Sequence, residues 1–493
     1  MAARWGRGPR VLIVAVLCLL LTACGPAAGE TDRSLDRAPV RPTPTAQEMA
    51  LPRAPLVGAH YYHWYPSNWG HGTLRAQLDP PQQPELGLYD STDPAVAEQH
   101  IAWASAHGID FFTLDWWPVA HQENQTAIPA FLQSPNIGEI DFTIFYETWN
   151  LSFDPALGYA DLDAPGVRQA FLEDMAQLAD TYFGHPSYLR VDGRPVVILY
   201  LTRVLVGDVA GAMAEVREMW RARGHDPYVI ADEVFWNVTA DRRPASFTTR
   251  PQESRIRLFD AITSYNPYES GRPSHAGYGA ESEFVPDVNG LYQRYRDATG
   301  GEVPIVPGVL AGYNDRGVRP RLDHYVIPRA WAPGAAEGTF LAEMLRQVAD
   351  RWLDPRNPMV MITSWNEWNE DTGIEPLAGA EATAADTATD GISRTNGVAY
   401  GGVGTRYLEV VRNHYVAVAG RVVSSDGAPI VGTVVTAWRD GTAVAQDTTD
   451  SRGRYTLPRA HVGAAPVVVV AEGAEMTATP DPTRTVEVSL TAR

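Results

Sequence analysis

Cysteine is almost missing from this chain: Cys18 and Cys24 are the only two in 493 residues. Both lie in the first 24 positions, so the body of the protein can form neither an internal disulfide nor a cysteine metal site. Its stability must come from core burial, which a chain of this length can supply. Positive charge is also scarce. Lys and Arg number 40 against 59 Asp and Glu, for a net charge of −19, a balance that turns a protein away from nucleic acid and anionic lipid surfaces. The N-terminal apolar run VLIVAVLCLLL (11–21) is shorter than the roughly 20 residues a spanning helix needs. No glycine-rich phosphate loop follows the first strand-like segment, which argues against a dinucleotide-binding sheet.

What is present at the N-terminus has the parts of a secretion signal. Arg4, Arg7 and Arg10 precede the apolar run, and Leu21-Thr22-Ala23-Cys24 ends it. The LTAC box followed by Gly25 resembles a bacterial lipobox. That resemblance implies acylation of Cys24 and a bacterial lipoprotein on the extracellular face of the cell membrane, touching the bilayer through its lipid anchor only. Residues 1–24 are then signal. Residues 25–55, rich in Pro, Ala and charge without any period, read as a flexible tether.

From residue 56 to 415 short apolar runs alternate with helix-length amphipathic stretches. Eight runs occur: 57–62, 109–116, 141–147, 195–201, 227–234, 259–266, 303–310 and 358–365. Their hydrophobicity is continuous rather than alternating, as in strands covered on both faces. Helices are expected at 93–108, 164–184 and 338–354, the first opened by Asp93-Pro94 and closed by Gly108. The fold class this predicts is α/β, a (β/α)8 TIM barrel, with a doubly wound open sheet as the other arrangement of such units. After Val416 helix signals fade. Residues 418–493 alternate around Asp-Gly and Arg-Gly turns and predict a small antiparallel all-β sandwich.

In such a barrel the residues just past each strand share one rim. They are Tyr62, His63 and Trp64 after the first run, Asp115 and Trp117 at the second, Glu147 and Trp149 at the third, Asp232 and Glu233 at the fifth, Tyr265, Asn266, Pro267 and Tyr268 at the sixth, and Tyr313 after the seventh. Rings beside carboxylates and amides suit sugars, whose C–H faces stack on aromatics while their hydroxyls need fixed donors and acceptors. Run eight continues as TSWNEWNEDTGIEP (363–376). Glycosidic cleavage needs one carboxyl to protonate the leaving oxygen and another to act as base or nucleophile. Glu367 and Glu370 supply that pair if a helical turn starts there, with Trp365 and Trp368 shielding them from water.

These residues resemble glycoside hydrolase family 99, the endo-α-mannosidases and endo-α-1,2-mannanases. The likeness covers most of 56–415 and rests on VGAHYYHWY, GLYDSTDPAVAEQHIAWASAHGIDFFTLDWW, FGHPSYLRVDGRPVVILY, PGVLAGYNDRGVRP and above all ITSWNEWNEDTGIEP. It implies a retaining endo-glycosidase without cofactor or metal, acting on α-mannan or a related glycan. Glu367 is then the base that deprotonates the sugar 2-hydroxyl, and Glu370 the general acid, with a 1,2-anhydro sugar as intermediate. Glu147 is implied to bind the sugar at the cleavage site, with Tyr62, His63, Trp64, Trp117, Tyr265, Tyr313, Asn366 and Trp368 as further binding residues. Asn369 stands where the family usually has histidine, and FYETWN replaces a HIEPY-type third strand, which bears on the substrate more than on the mechanism. Hydrolysis of another α-glycan, or glycan binding by a barrel that has lost turnover, are the alternative functions. The 418–493 unit resembles the carboxypeptidase-regulatory-like fold at Gly420–Val422, Asp426–Gly432 and Thr449–Tyr455. The span 378–404 reads either as a lid or as a disordered insertion.

Overall fold

Eight parallel strands, each followed by a helix, make up the larger part of the protein in this computed structural model, which describes residues 54–118, 122–151, 159–234, 252–265, 284–322 and 326–492. Residues 1–53, with the expected signal segment, Cys24 and most of the expected tether, lie outside the described residues, as do Asn266, Pro267, Tyr268 and the side chain of Trp149. The strands are β1 (Leu56–Tyr61), β2 (Phe111–Trp116), β3 (Asp141–Glu147), β4 (Arg194–Tyr200), β5 (Tyr228–Asp232), β6 (Ala261–Thr263), β7 (Gly308–Leu310) and β8 (Met359–Thr363). Each pairs in parallel with the next, and β8 returns to β1. A parallel bridge between Ile262 and Ile305 closes the ring between β6 and β7. The helices are α1 (Pro94–Ala106), α2 (Gln122–Leu132), α3 (Pro165–Thr181), α4 (Val209–Ala222), α5 (Glu253–Ile256), α6 (Val285–Ala298), α7 and α8 (Arg406–Tyr415). In α7 the segment Thr339–Met344 runs through a π turn at Leu345–Ala349 to Asp350–Trp352. This is the expected (β/α)8 barrel.

Strand parity decides what each side chain meets. Successive residues point to opposite faces, so one set packs against the helices while the other stacks in layers down the barrel axis. Phe111, Val196, Tyr228, Ala261 and Met359 form one interior cluster with Phe145, Ile198 and Ile230 above them. Gly58 belongs to the lower layer because a Cβ there would stand 2.2 Å from the Phe111 ring; without it the ring fills the axis. His60 and Thr113 lie in the middle layer, joined Nδ1 to Oγ1 at 2.7 Å. Burial pushes the His60 imidazole down to about 3, so it sits neutral in the barrel. The next inward positions are Tyr62, Asp115, Glu147, Tyr200 and Tyr265, and these reach the rim.

The 378–404 span is neither a lid nor an irregular insertion. It is a hairpin of β9 (Leu377–Thr383) and β10 (Tyr400–Gly404), fastened to the loop after β1 by bridges Leu78–Asp386 and Pro84–Leu377. Helix α8 ends at Tyr415, and β11 (Val416–Val423) begins at the next residue. It pairs with β14 (Arg454–Pro458), β17 (Val486–Glu487) and β18 (Leu490–Thr491). A second sheet holds β12 (Val434–Arg439), β13 (Thr442–Thr448), β15 (Val467–Ala471) and β16 (Ala474–Ala478). The sandwich departs from the purely antiparallel expectation, because β17 and β18 run parallel to β11. Its core shares no residue with that of the barrel.

The sandwich stands at the end of the barrel where the strands begin. A cleft of about 1640 Å³ there is lined by Leu56, Asp110, Asp141 and Pro358 on one side and Asp447, Thr456 and His461 on the other. Ser451 N–H donates to Glu139 across the boundary at 2.8 Å, and Thr485 N–H to Asn413 at 2.9 Å. Gly108, at φ 75° after α1, also permits close approach: a Cβ there would lie 2.7 Å from Val416. Among the described residues no helix is long and apolar enough to cross a membrane.

Candidate active site

At the opposite end, where the strands finish, a cavity of about 660 Å³ opens to solvent. Tyr62, His63 and Trp64 line it after β1, Asp115 and Trp117 from β2, Glu147 from β3, and Tyr265 after β6. Glu367 and Glu370 complete the wall after β8. Trp64 stacks on Tyr62 with centroids 4.4 Å apart and meets Trp117 edge-on at 6.2 Å, giving a continuous aromatic surface. The Tyr62 hydroxyl donates to that of Tyr265 at 2.6 Å.

The carboxyls fall into two groups. Across the floor, Trp117 Nε1–H donates to Asp115 Oδ2 at 2.7 Å, and Asp115 hydrogen-bonds Glu147. Burial and then the Asp115 charge push the Glu147 carboxyl well above the usual carboxylate range, which favours its protonated form. Glu367, 3 % exposed, is likewise pushed well up, first by burial and then by the charge of Glu370, against the pull of one backbone N–H and Arg319. That N–H is Asn369's, donating to Glu367 Oε1 at 2.7 Å. Glu370 Oε1 accepts instead from Arg319 Nη1 at 3.2 Å, and the same nitrogen lies 2.9 Å from Asp315 Oδ2.

The segment carrying the pair is a turn, not the start of a helix. Ile374 N–H reaches back to Trp365 O and Thr372 N–H to Glu367 O, folding residues 364–375 into a tight loop. Glu367, Asn369 and Glu370 reach the cavity, whereas Trp365, Asn366 and Trp368 face inward. Trp365 is fully buried against Phe112 and His100, and Trp368 points to Trp69 and Glu375. Neither tryptophan walls the site, so burial among tyrosines, not indole shielding, lifts Glu367. Asn366 is also behind the wall: it caps the backbone N–H and C=O of Tyr62 at 2.8 and 2.7 Å. Tyr313 pairs through its backbone with Ile327 and is not among the cavity residues. Asn366, Trp368 and Tyr313 thus differ from their expected contact role. The acids of β5 brace the site too, Asp232 accepting from Tyr265 N–H and Leu201 N–H and Glu233 pairing with Arg255.

Tyr200, Arg319 and His71 line the cavity without having been singled out, and Asn369, noted above as a departure from the family pattern, lines it too. Tyr200 was accessible to parity, being two residues beyond the interior Ile198. No group of three or more His, Cys, Asp or Glu among the described residues is arranged to hold a metal ion.

With this geometry in hand, comparison with known proteins is direct. The family described as Glycosyltransferase WbsX matches residues 61–383, a span that starts at the end of β1 and ends with β9. The chain belongs to the WbsX family. It is similar to the glycoprotein endo-alpha-1,2-mannosidase of Rattus norvegicus, 23% identical over 67% of this chain and 71% of the relative. A solved glycoside hydrolase-like protein matches at 18% identity and TM-score 0.50, covering 73% of this chain and 93% of that one. The GH99 endo-alpha-mannosidase from Bacteroides thetaiotaomicron covers 72% of this chain and 96% of its own at 19% identity, TM-score 0.47. The matched region of this WbsX member contains every residue of the cavity and none of the sandwich.

Proposed function

We propose that this chain is a retaining endo-glycosidase that cleaves internal α-mannosidic linkages by a substrate-assisted route. The observation that carries the reading is the convergence of Glu367 and Glu370, from one turn after β8, on a cavity walled by Tyr62, Trp64 and Trp117. Rings to hold sugar faces and two separately placed carboxyls are what glycosidic cleavage requires. The name of the rat relative, an endo-alpha-1,2-mannosidase, supports mannose as the sugar.

In this mechanism ionised Glu367 takes the proton of the sugar 2-hydroxyl, and the freed oxygen attacks the anomeric carbon. The anomeric C–O bond to the leaving sugar breaks as Glu370 gives that oxygen its proton. Water then opens the 1,2-anhydro sugar, Glu370 taking a proton from the water and Glu367 returning one to O2. Two inversions leave the configuration retained. Protonated Glu147 donates to a hydroxyl of the sugar undergoing cleavage. The family's description names glycosyl transfer, in which an activated donor supplies the sugar and a second sugar takes the place of water as acceptor. On the same reading Cys24 carries the lipid that holds the enzyme outside the cell, and the 418–493 unit is a carboxypeptidase-regulatory-like spacer.

The test is incubation of purified protein with α-mannans and related α-glucans, followed by sizing of products, with a sugar-nucleotide donor in a parallel arm. Internal cuts in α-mannan are expected. Chain growth that needs the nucleotide donor makes it a transferase, and rapid hydrolysis of a 2-deoxy substrate rejects attack by the 2-oxygen.

A further inference from the structure

The mechanism starts from an ionised Glu367 and a protonated Glu370, and contacts in the structure favour the opposite arrangement. Glu370 Oε1 is ion-paired with Arg319 at 3.2 Å, a contact that favours its carboxylate. Glu367 is buried, with the Asn369 N–H at 2.7 Å as its hydrogen-bond donor. Other charged and titratable groups at the cavity are Asp115 and Glu147 on its floor, His63 and His71 after β1, and the hydroxyls of Tyr62, Tyr200 and Tyr265. Burial and the neighbouring Glu370 charge favour the neutral form of Glu367. Both contacts thus work against the proton arrangement from which cleavage starts.

Arg319 is built to be moved. Its side chain is 51 % exposed, whereas that of Asp315, its other partner, is 1 % exposed. Asp315 is a fixed seat that still holds the guanidinium at 2.9 Å when the head swings away from Glu370. We propose that Arg319 is a latch on the catalytic pair: it holds Glu370 as a carboxylate until the leaving-side sugar enters beside it, and then releases Glu370 to take up a proton. The glycosidic oxygen then faces a Glu370 freed to take up a proton, while the sugar 2-hydroxyl, donating to Glu367, favours its carboxylate. One proton leaves Glu367 for solvent and one joins Glu370, so the total on the pair is unchanged. The inference rests on the hydrolase reading above and assigns Arg319 as a positioning and proton-siting residue of that same site.

The test compares wild type, Arg319→Met and Arg319→Lys on an α-mannan oligosaccharide, reading kcat and kcat/KM against pH. The free-enzyme profile, kcat/KM, should move to higher pH on both limbs by about one unit in Arg319→Met, as for loss of a single partner charge. The kcat profile should stay, because in the complex the latch is already open, and Arg319→Lys should restore the wild-type kcat/KM profile. Equal displacement of both profiles means that Arg319 remains on Glu370 throughout and overturns the latch. A raised KM with neither profile displaced also overturns it, leaving Arg319 as a sugar contact. Infrared titration of the ligand-free proteins, with the Glu370 band assigned by difference from Glu370→Gln, separates this from the hydrolase reading. If wild type turns over no glycan, that reading fails, and the latch then stands or falls on whether the Glu370 band protonates at higher pH in Arg319→Met.

Discussion

Glu367 is placed where chemistry and stability conflict. Its folded-state pKa is raised above the unfolded value, so the folded protein resists its ionisation. Stability tied to this group is therefore complete below the ordinary glutamate pKa and is lost as pH rises through the folded value. Glu367→Gln keeps an acceptor for the Asn369 N–H and removes the titration. Thermal melts should show Glu367→Gln level with wild type near about pH 4 and increasingly above it toward about pH 8. Its turnover should be lost with natural and activated glycosides alike, because the 2-hydroxyl keeps its proton. Glu370→Gln should lose about two to four orders of magnitude on a natural glycan, as for loss of a general acid, and distinctly less when the leaving group needs no proton; equal losses on both would argue against the acid role. Much of this site is legible in the sequence, since carboxyls directly after a buried strand have to come to the rim. What misleads is the turn: helical spacing would have aligned Trp365 and Trp368 with the site, and the hairpin-like loop sends them into the core instead. Arg319 was hidden for another reason. Arg316 and Arg319 are equivalent by sequence, and only tertiary placement sends Arg316 to Ser393 and Asn396 and Arg319 to Glu370.

At the scale of elements, the 364–375 loop owes its shape to two buried arginines. Asp371, at φ 48°, receives Arg75 Nε on Oδ1 at 2.7 Å and Arg329 Nε on Oδ2 at 3.0 Å, while Arg329 Nη2 takes its carbonyl at 2.5 Å. Arg75 is held in turn by Gln82, Gly401 O and Glu337, which ties the loop to the β9–β10 hairpin. Asp371→Asn leaves two guanidiniums sharing too little negative charge, and breaking a buried pair of this kind costs about 3 to 5 kcal/mol. A denaturant midpoint lowered accordingly is expected, together with reduced turnover because Glu370 is the adjoining residue; an unchanged midpoint would mean the arginines find other partners. The strands themselves were legible as continuous apolar runs, and all eight are present. Their lengths were not. The seventh run, 303–310, pairs as β7 only from Gly308, because Pro304 and Pro307 have no N–H to offer a ladder. The sixth stops at Thr263, where Tyr265 N–H is diverted to the Asp232 carboxylate.

For the whole molecule, two separate cores meet across a polar boundary at Val416. A chain ending at Tyr415 should unfold cooperatively, with a lower midpoint from the exposed barrel base, and should keep its catalytic rate because the mouth lies at the other end. Loss of a cooperative transition would make the sandwich part of the barrel's own core. The sandwich was legible from its turns and alternation, whereas its position under the barrel depends on surface contacts such as Ser451 to Glu139, which no local pattern encodes.

Ala54 and the sandwich both border the cleft beneath the barrel, at the end plugged by the Phe111 ring. Chain that leads into the enzyme and domain that follows it are thus mounted on one side, like a lamp fixed by its base. A load applied through that side reaches the barrel at its base, away from the cavity that holds Glu147 and Glu367.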